Sequence, residues 1–340
     1  MIKKISIGVL LILLIGGVGF HYYQIIFGKT ISKDGVIFIQ TNSNMANLEK
    51  ELTPFLPEKN HFTWLAKKKT FIRPKAGKYL LEKDMSLNDV INLLRSGNQT
   101  PVILSFNNRD TLEKLAGRVA TQIEADSTTI IKAMLDSVFL KKNGFTRASA
   151  LGMYIPNSYQ FYWNTSAEGF RDKMKKEFAK FWNQDRINKA KKTGLKKEEV
   201  ITLASIVQKE TAQKPERPVV AGLYINRLKK GWPLQADPTV IYVLKQQKGP
   251  DFVIKRVLHK DLKIKSPYNT YLHRGLPPAL IAMPDVSSID AVLNYEKHPY
   301  YYMCVNTDKI GFHVFARTLR QHNRNAKKYQ RWLEKKGIWR

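Results

Sequence analysis

The chain has 340 residues, 43% of them hydrophobic and 25% charged, proportions that exclude a disordered or collagen-like polymer and allow a sizeable core. Lys and Arg number 57 against 28 Asp and Glu, a net charge of +29, so the environment or partner is anionic: nucleic acid, anionic lipid or an acidic polymer. One cysteine, Cys304, excludes an intramolecular disulfide and zinc sites built from several cysteines.

Ile5 to Phe20 is an uncharged run of 16 positions, and it continues without charge to Phe27. As a helix, Ile5–Phe27 would reach roughly 35 Å, enough to cross a hydrocarbon core of about 30 Å. Lys3 and Lys4 precede it, so the positive-inside rule puts Met1 in the cytoplasm and everything after Lys29 outside. Tyr22 and Tyr23 fall where an interfacial aromatic belt would lie. A cleaved signal peptide is the rival reading, but the apolar region is long and no small-x-small site follows it. The expectation is a single-pass anchor in the inner (cytoplasmic) membrane with the bulk of the chain outside, where nucleic acid is scarce as a partner.

Lys33 to Gly97 is short and mixed. Val36–Gln40 has strand composition, and Asn47–Leu56 reads as a helix closed by Pro54 and Pro57. Lys78–Leu81 reads as a strand and Lys83-Asp84 as a turn. Ser86 would cap a helix with apolar positions Leu87, Val90, Ile91 and Leu94, and Gly97 would close it. This strand, turn and capped helix resemble half of a LysM-type glycan-binding unit.

From Pro101 on, helices dominate. Leu112–Ile123 and Thr128–Phe139 are expected helices, and Met153–Thr165 is too irregular for one. Phe170–Lys192 is expected as one amphipathic helix on Phe170, Met174, Phe178, Phe181 and Trp182, its lysines a solvated face. Ala221–Lys229 is expected as another. Asp237-Pro238 signals a turn or N-cap ahead of a helix over Thr239–Leu244. Tyr301–Val305 and Phe312–Phe315 would form a hairpin about Asn306–Gly311.

One helix carries the candidate chemistry. In EEVITLASIVQKET (Glu198–Thr211), Leu203, Ile206 and Val207 stand seven, four and three positions before Glu210, which therefore shares their core-facing stripe. Gln208 is rotated about 200° away. A carboxylate that continues an apolar stripe loses solvation, its pKa rises, and it becomes suited to general acid work near neutral pH. The plainer reading makes Glu210 the point where the helix leaves the core. Ser266–Pro284 contains Tyr268, Asn269 and Tyr271, side chains that hydrogen-bond and stack on sugars, followed by a rigid Gly275–Pro278 loop. No GxGxxG, P-loop, GxSxG or HExxH motif is present, so no nucleotide cofactor and no metal site is expected.

The ordered set ASIVQKET, LYINRL, LQADPTVIY, SPYNTY, GLPPALIAMP and GFHVFA resembles the endolytic murein transglycosylases of the MltG/YceG-like family, over about Met153 to Asn325. The family's helix usually carries two glutamates. Here the first position is Gln208, and the resemblance maps the catalytic glutamate onto Glu210. It implies a lyase that cuts the β-1,4 bond between N-acetylmuramic acid and N-acetylglucosamine inside peptidoglycan strands, giving 1,6-anhydro ends and limiting nascent strand length. Asp237 becomes a second-carboxylate candidate or a helix cap. Asn269, Tyr271 and Tyr268 become sugar contacts or loop supports, and His313 a site residue or a satisfied strand histidine. Peptidoglycan strands, the inner membrane and peptidoglycan synthases are the implied partners, with no nucleic acid. A hydrolytic muramidase and a non-catalytic glycan-binding scaffold are the alternatives. The fold expected is α+β: residues 1–30 a cytoplasmic tip and transmembrane helix, 31–100 a membrane-proximal region with a small LysM-like α+β subdomain, and 101–340 a larger mixed α/β catalytic domain.

Overall fold

The computed structural model describes residues 2–254 and 256–336, with side chains from Ile7 onward. The side chains of Lys3 and Lys4, on which the sidedness expectation rests, lie outside the described residues, as does Met1. The chain forms two compact units. One comprises Met1–Leu104, Val119–Asp126 and Ser158–Ser166, and the other Ser105–Arg118, Ser127–Asn157 and Ala167–Arg340.

The first unit opens with α1 (Ile2–Phe27). Its Ile7–Phe27 stretch has mean hydropathy 1.9 and no fully buried residue, and its length of roughly 30 Å matches a hydrocarbon core. Near its C-terminal end Ile25 and Ile26 pack on the unit's core, and Tyr22 stacks on Trp64 at 5.1 Å between centroids. There follow β1 (Gly35–Ile39), α2 (Met45–Leu52), α3 (Lys59–Lys68), β2 (Gly77–Leu81) and α4 (Leu87–Ser96). β1 and β2 pair antiparallel, from Gly35↔Leu81 to Ile39↔Gly77, and their alternation buries Ile37, Ile39, Tyr79 and Leu81. α3 had no counterpart in the sequence reading; its lysine-rich run hides Phe62, Leu65 and Ala66 on one buried face. α4 forms as expected. Ser86 and Asp89 make a capping box and Gly97 closes the helix at φ 75°, while Leu87, Val90, Ile91 and Leu94 are fully buried, each side chain contributing about 1.5–3 kcal/mol.

β3 (Val102–Phe106) and a later strand, β4 (Asn157–Phe161), form a two-stranded sheet. Between them lie α5 (Leu112–Ala120), α6 (Ser127–Met134) and α7 (Ser137–Lys142). The single helix expected over Thr128–Phe139 breaks because Asp136 turns back to accept from the Val138 and Phe139 amides. Likewise Phe170–Lys192 is two helices, α8 (Ala167–Phe181) and α9 (Gln184–Thr193). Asn183 caps the second by accepting from the Arg186 amide, a polar interruption that the apolar period does not register. Phe170, Met174, Phe178 and Trp182 are buried as the period requires.

The rest is α10 (Lys197–Glu210), α11 (Arg217–Lys229), α12 (Asp237–Lys248), α13 (Val286–Leu293), the hairpin β5 (Tyr302–Val305) and β6 (His313–Ala316), and α14 (Leu319–Lys335). α10 is the core helix, buried from Val200 through Val207. α11 corrects the amphipathic expectation. Packed against α10 and α13, it buries Val220 through Ile225 and also Arg227. Gly222 permits this, since a Cβ there would lie 2.2 Å from the Glu296 carbonyl oxygen. α12 starts two residues earlier than expected, with Ala236 as its N-cap residue and no side-chain cap bond. β5 and β6 pair from Tyr302↔Ala316 to Val305↔His313.

Candidate active site

Leu203, Ile206 and Val207 are fully buried, and Glu210, partly buried, ends their stripe at the last turn of α10. The Tyr224 hydroxyl, on α11, donates to Glu210 Oε2 at 3.0 Å. Burial pushes the Glu210 carboxyl up to about 7; the His313 charge, the Tyr224 hydrogen bond and Arg227 oppose the rise, and Asp237 adds to it. Gln208 points elsewhere, as its rotation requires. Its amide donates to the Met283 carbonyl at 3.1 Å and its oxygen accepts from the Asp285 amide and the Ser288 hydroxyl. Ser205 Oγ accepts from the Ile281 amide at 3.0 Å. Two polar residues of ASIVQKET, Ser205 and Gln208, thus pin the GLPPALIAMP segment along α10, and Glu210 presents an acid.

α11 ties the hairpin to this acid. Asn226 Nδ2 donates to the carbonyls of His298 and Tyr300. The buried Arg227 donates from Nε to the Tyr301 carbonyl at 2.8 Å and from Nη1 to the Leu234 carbonyl. At the head of α11, Glu216 accepts from the His313 backbone amide at 2.6 Å and from His313 Nδ1 at 2.9 Å. His313 is therefore both a hydrogen-bonded strand residue and a neighbour whose charge acts on Glu210.

LQADPTVIY and SPYNTY lock together through threonines. Thr270 Oγ1 accepts from the Ala236 amide at 3.0 Å and lies 2.9 Å from Thr239 Oγ1. Asp237 is then the first residue of α12, exposed, and does not cap it; it accepts from the Tyr271 hydroxyl at 2.6 Å. The cap expectation fails because Asp237 already lies inside the helix, one residue past the N-cap Ala236, and its carboxylate is engaged by the Tyr271 hydroxyl. Asn269 is buried, both amide hydrogens going to the Leu262 and Ile264 carbonyls and its oxygen to the Tyr271 amide. It acts as a loop staple that aims Tyr271. Tyr268 packs on Tyr242 at 4.8 Å. The site thus gathers Glu210, Tyr224, Arg227, Asp237, Tyr271 and His313, with Glu216 behind His313. Tyr224 and Arg227 stand in the LYINRL motif without being singled out there, and Glu216 has no local signal at all; the tyrosine and arginine within a largely apolar helix are the features that point to them.

A groove of about 310 Å³ runs beside Lys209 and Pro238, the chain neighbours of Glu210 and Asp237. A cavity of about 600 Å³ lies toward the other end of α10, by Glu198 and Thr202, away from these acids.

Residues 37–328 match the model of the YceG-like family. The chain belongs to that family. A Bacillus subtilis (strain 168) protein named endolytic murein transglycosylase is 32% identical over 270 residues, covering 75% of this chain and 72% of that protein. A Streptococcus pneumoniae (serotype 2) protein of the same name is 28% identical over 297 residues, covering 78% of this chain and 52% of that longer protein. The 2.6 Å crystal structure of a YceG-like protein from Listeria monocytogenes superposes with a TM-score of 0.56 at 27% identity, over 86% of this chain and 99% of that one. The α+β architecture, small sheets among many helices, is that of the YceG-like fold. All the residues gathered around Glu210 fall within the matched span of this YceG-like chain.

Proposed function

We propose that this YceG-like protein is a peptidoglycan lytic transglycosylase, anchored in the membrane by α1, that cuts the β-1,4 bond between N-acetylmuramic acid and N-acetylglucosamine within glycan strands. The observation that carries this reading is Glu210: a carboxyl half-protonated near pH 7, hydrogen-bonded by one tyrosine, in a family whose relatives are named murein transglycosylases. Protonated Glu210 gives its proton to the glycosidic oxygen as the C1–O4 bond breaks through an oxocarbenium-like state. The muramoyl C6 hydroxyl then attacks C1 and returns its proton to the Glu210 carboxylate. Atoms balance without water, and the product is a 1,6-anhydromuramoyl end. Tyr224 engages Oε2, which leaves Oε1 to carry the travelling proton.

Asp237, held by Tyr271 and close enough to raise the Glu210 pKa, favours the positive charge of the oxocarbenium-like state. That same closeness is what a hydrolytic muramidase would need in a second carboxylate, and it keeps hydrolysis as the alternative. Ile7–Phe27 supports the anchor. We assign glycan contact to the LysM-like region within 31–100 and catalysis to 101–340. Cutting inside strands would limit nascent strand length beside the peptidoglycan synthases. The test is mass spectrometry of products from purified protein and uncrosslinked glycan. Fragments one water lighter than hydrolysis products are expected; hydrated reducing ends would refute the lyase.

A further inference from the structure

Glu216 holds His313 twice. One carboxylate oxygen takes the backbone amide at 2.6 Å and the other takes ring Nδ1 at 2.9 Å. Both side chains are largely enclosed, His313 16% and Glu216 4% exposed. A carboxylate only accepts, so Nδ1 carries hydrogen in the neutral and the cationic ring alike, and the titrating proton sits on Nε2. Nε2 has no hydrogen-bond partner among the described residues. Glu216 follows Glu210 by six residues, so the segment that leaves the acid's helix also supplies the clamp.

We infer that His313, clamped by Glu216 six residues after Glu210, is a positioning residue for the acid–base cycle: its imidazolium offsets the negative charge left on Glu210 when Glu210 gives up its proton. This rests on the reading of Glu210 as the proton donor. The groups that act on Glu210 are Tyr224 of α11, by its hydrogen bond, and the charges of His313 on β6, Arg227 on α11 and Asp237 on α12. His313 is acted on by Glu216 and Glu210. Burial works against the imidazolium, but the hydrogen bond and charge of Glu216 outweigh it, and the Glu210 charge adds to them, so the ring's pKa lies above its ordinary value. Glu216 is held down in turn, because the bonds from His313 outweigh its own desolvation. A desolvated carboxylate and a nearby cation stabilise each other's charged forms, and that coupling is reciprocal.

Reciprocity supplies a test that needs no substrate. Full-length protein in detergent, labelled at its seven histidines, is titrated by NMR, with His313→Gln identifying the His313 signal. The midpoint of His313 is expected above the ordinary 6.5. It should fall in Glu210→Gln and fall further in Glu216→Gln. In the second arm, kcat/KM on uncrosslinked glycan is followed against pH. The alkaline limb reports protonated Glu210. In His313→Gln and in Glu216→Gln it should move up by about one pH unit, the size of shift that a charge at close range gives. A purely structural clamp would lower the rate and leave that limb in place. An unmoved limb in both folded variants, or a His313 midpoint indifferent to Glu210→Gln, overturns the inference. If Glu216→Gln does not fold, His313→Gln decides the kinetic arm and Glu210→Gln the NMR arm. Absence of glycan cleavage by the wild type would count against the proposed function alone, because the NMR coupling is measured without glycan.

Discussion

Tyr224 and Glu210 face each other across two packed helices, the phenol of the first donating to Oε2 of the second at 3.0 Å. Tyr224 is buried, so the bond is shielded from water and fixes the carboxyl's rotation. Because it favours the charged carboxylate, it lowers the Glu210 pKa against the upward push of burial. Tyr224→Phe should remove that support with little change in shape. A single buried hydrogen bond is worth about 0.5–1.5 kcal/mol net, so kcat should fall up to roughly tenfold and the alkaline limb of activity should move to higher pH. A pH–rate profile measures both. An unchanged rate with an unchanged limb would remove Tyr224 from the site.

Asp237 pushes the Glu210 pKa up, so Asp237→Asn should move the same limb the opposite way, to lower pH. Asparagine keeps an oxygen to accept from Tyr271, as Asp237 does, and the loop should hold. Anhydro product should persist and the rate should fall less than in Glu210→Gln. A hydrolase that loses its base should instead lose turnover as completely as one that loses its acid.

The acid weakens the fold that holds it. Its pKa is about 7 against an ordinary 4.5, so folding is unaffected below the lower value. The penalty grows as pH rises and is complete above the folded pKa. Glu210→Gln should therefore stabilise the protein at pH 8 by up to about 3 kcal/mol, at 1.36 kcal/mol per pK unit. At pH 5 it should change stability little. Melting curves at the two pH values check this. Equal effects at both would contradict a desolvated carboxyl.

With residues 7–20 exposed throughout, native protein should sediment with membranes through high-salt and carbonate washes and come free in detergent. Salt extraction would point to attraction between the +29 chain and an anionic surface. A soluble, N-terminally trimmed main species would favour a signal peptide.

What could be read from the chain alone was local. The period of Leu203, Ile206, Val207 and Glu210, and the cap at Ser86, are set by residues within two turns of each other. Glu216 and His313 lie 97 positions apart, and nothing near either one announces the other. Asp237 before proline reads as a cap signal, yet a tyrosine 34 positions further on, Tyr271, engages its carboxylate instead. Asn269 reads as a sugar contact or a loop support, and the sequence does not choose; the loop carbonyls of Leu262 and Ile264 take both its amide hydrogens. The breaks at Asp136 and Asn183 were hidden because a polar cap interrupts the backbone without disturbing the apolar period around it.

The central claim is that one carboxyl, Glu210, performs both proton transfers. Its most direct test is the turnover of Glu210→Gln on uncrosslinked glycan beside the wild type, with a melting curve for each. General acid–base catalysis is worth roughly 10²–10⁴-fold, and here one residue serves both steps, so the rate should fall by at least that much in a protein that still melts cooperatively. A folded Glu210→Gln variant that turns over glycan at a rate near the wild type's would contradict the account.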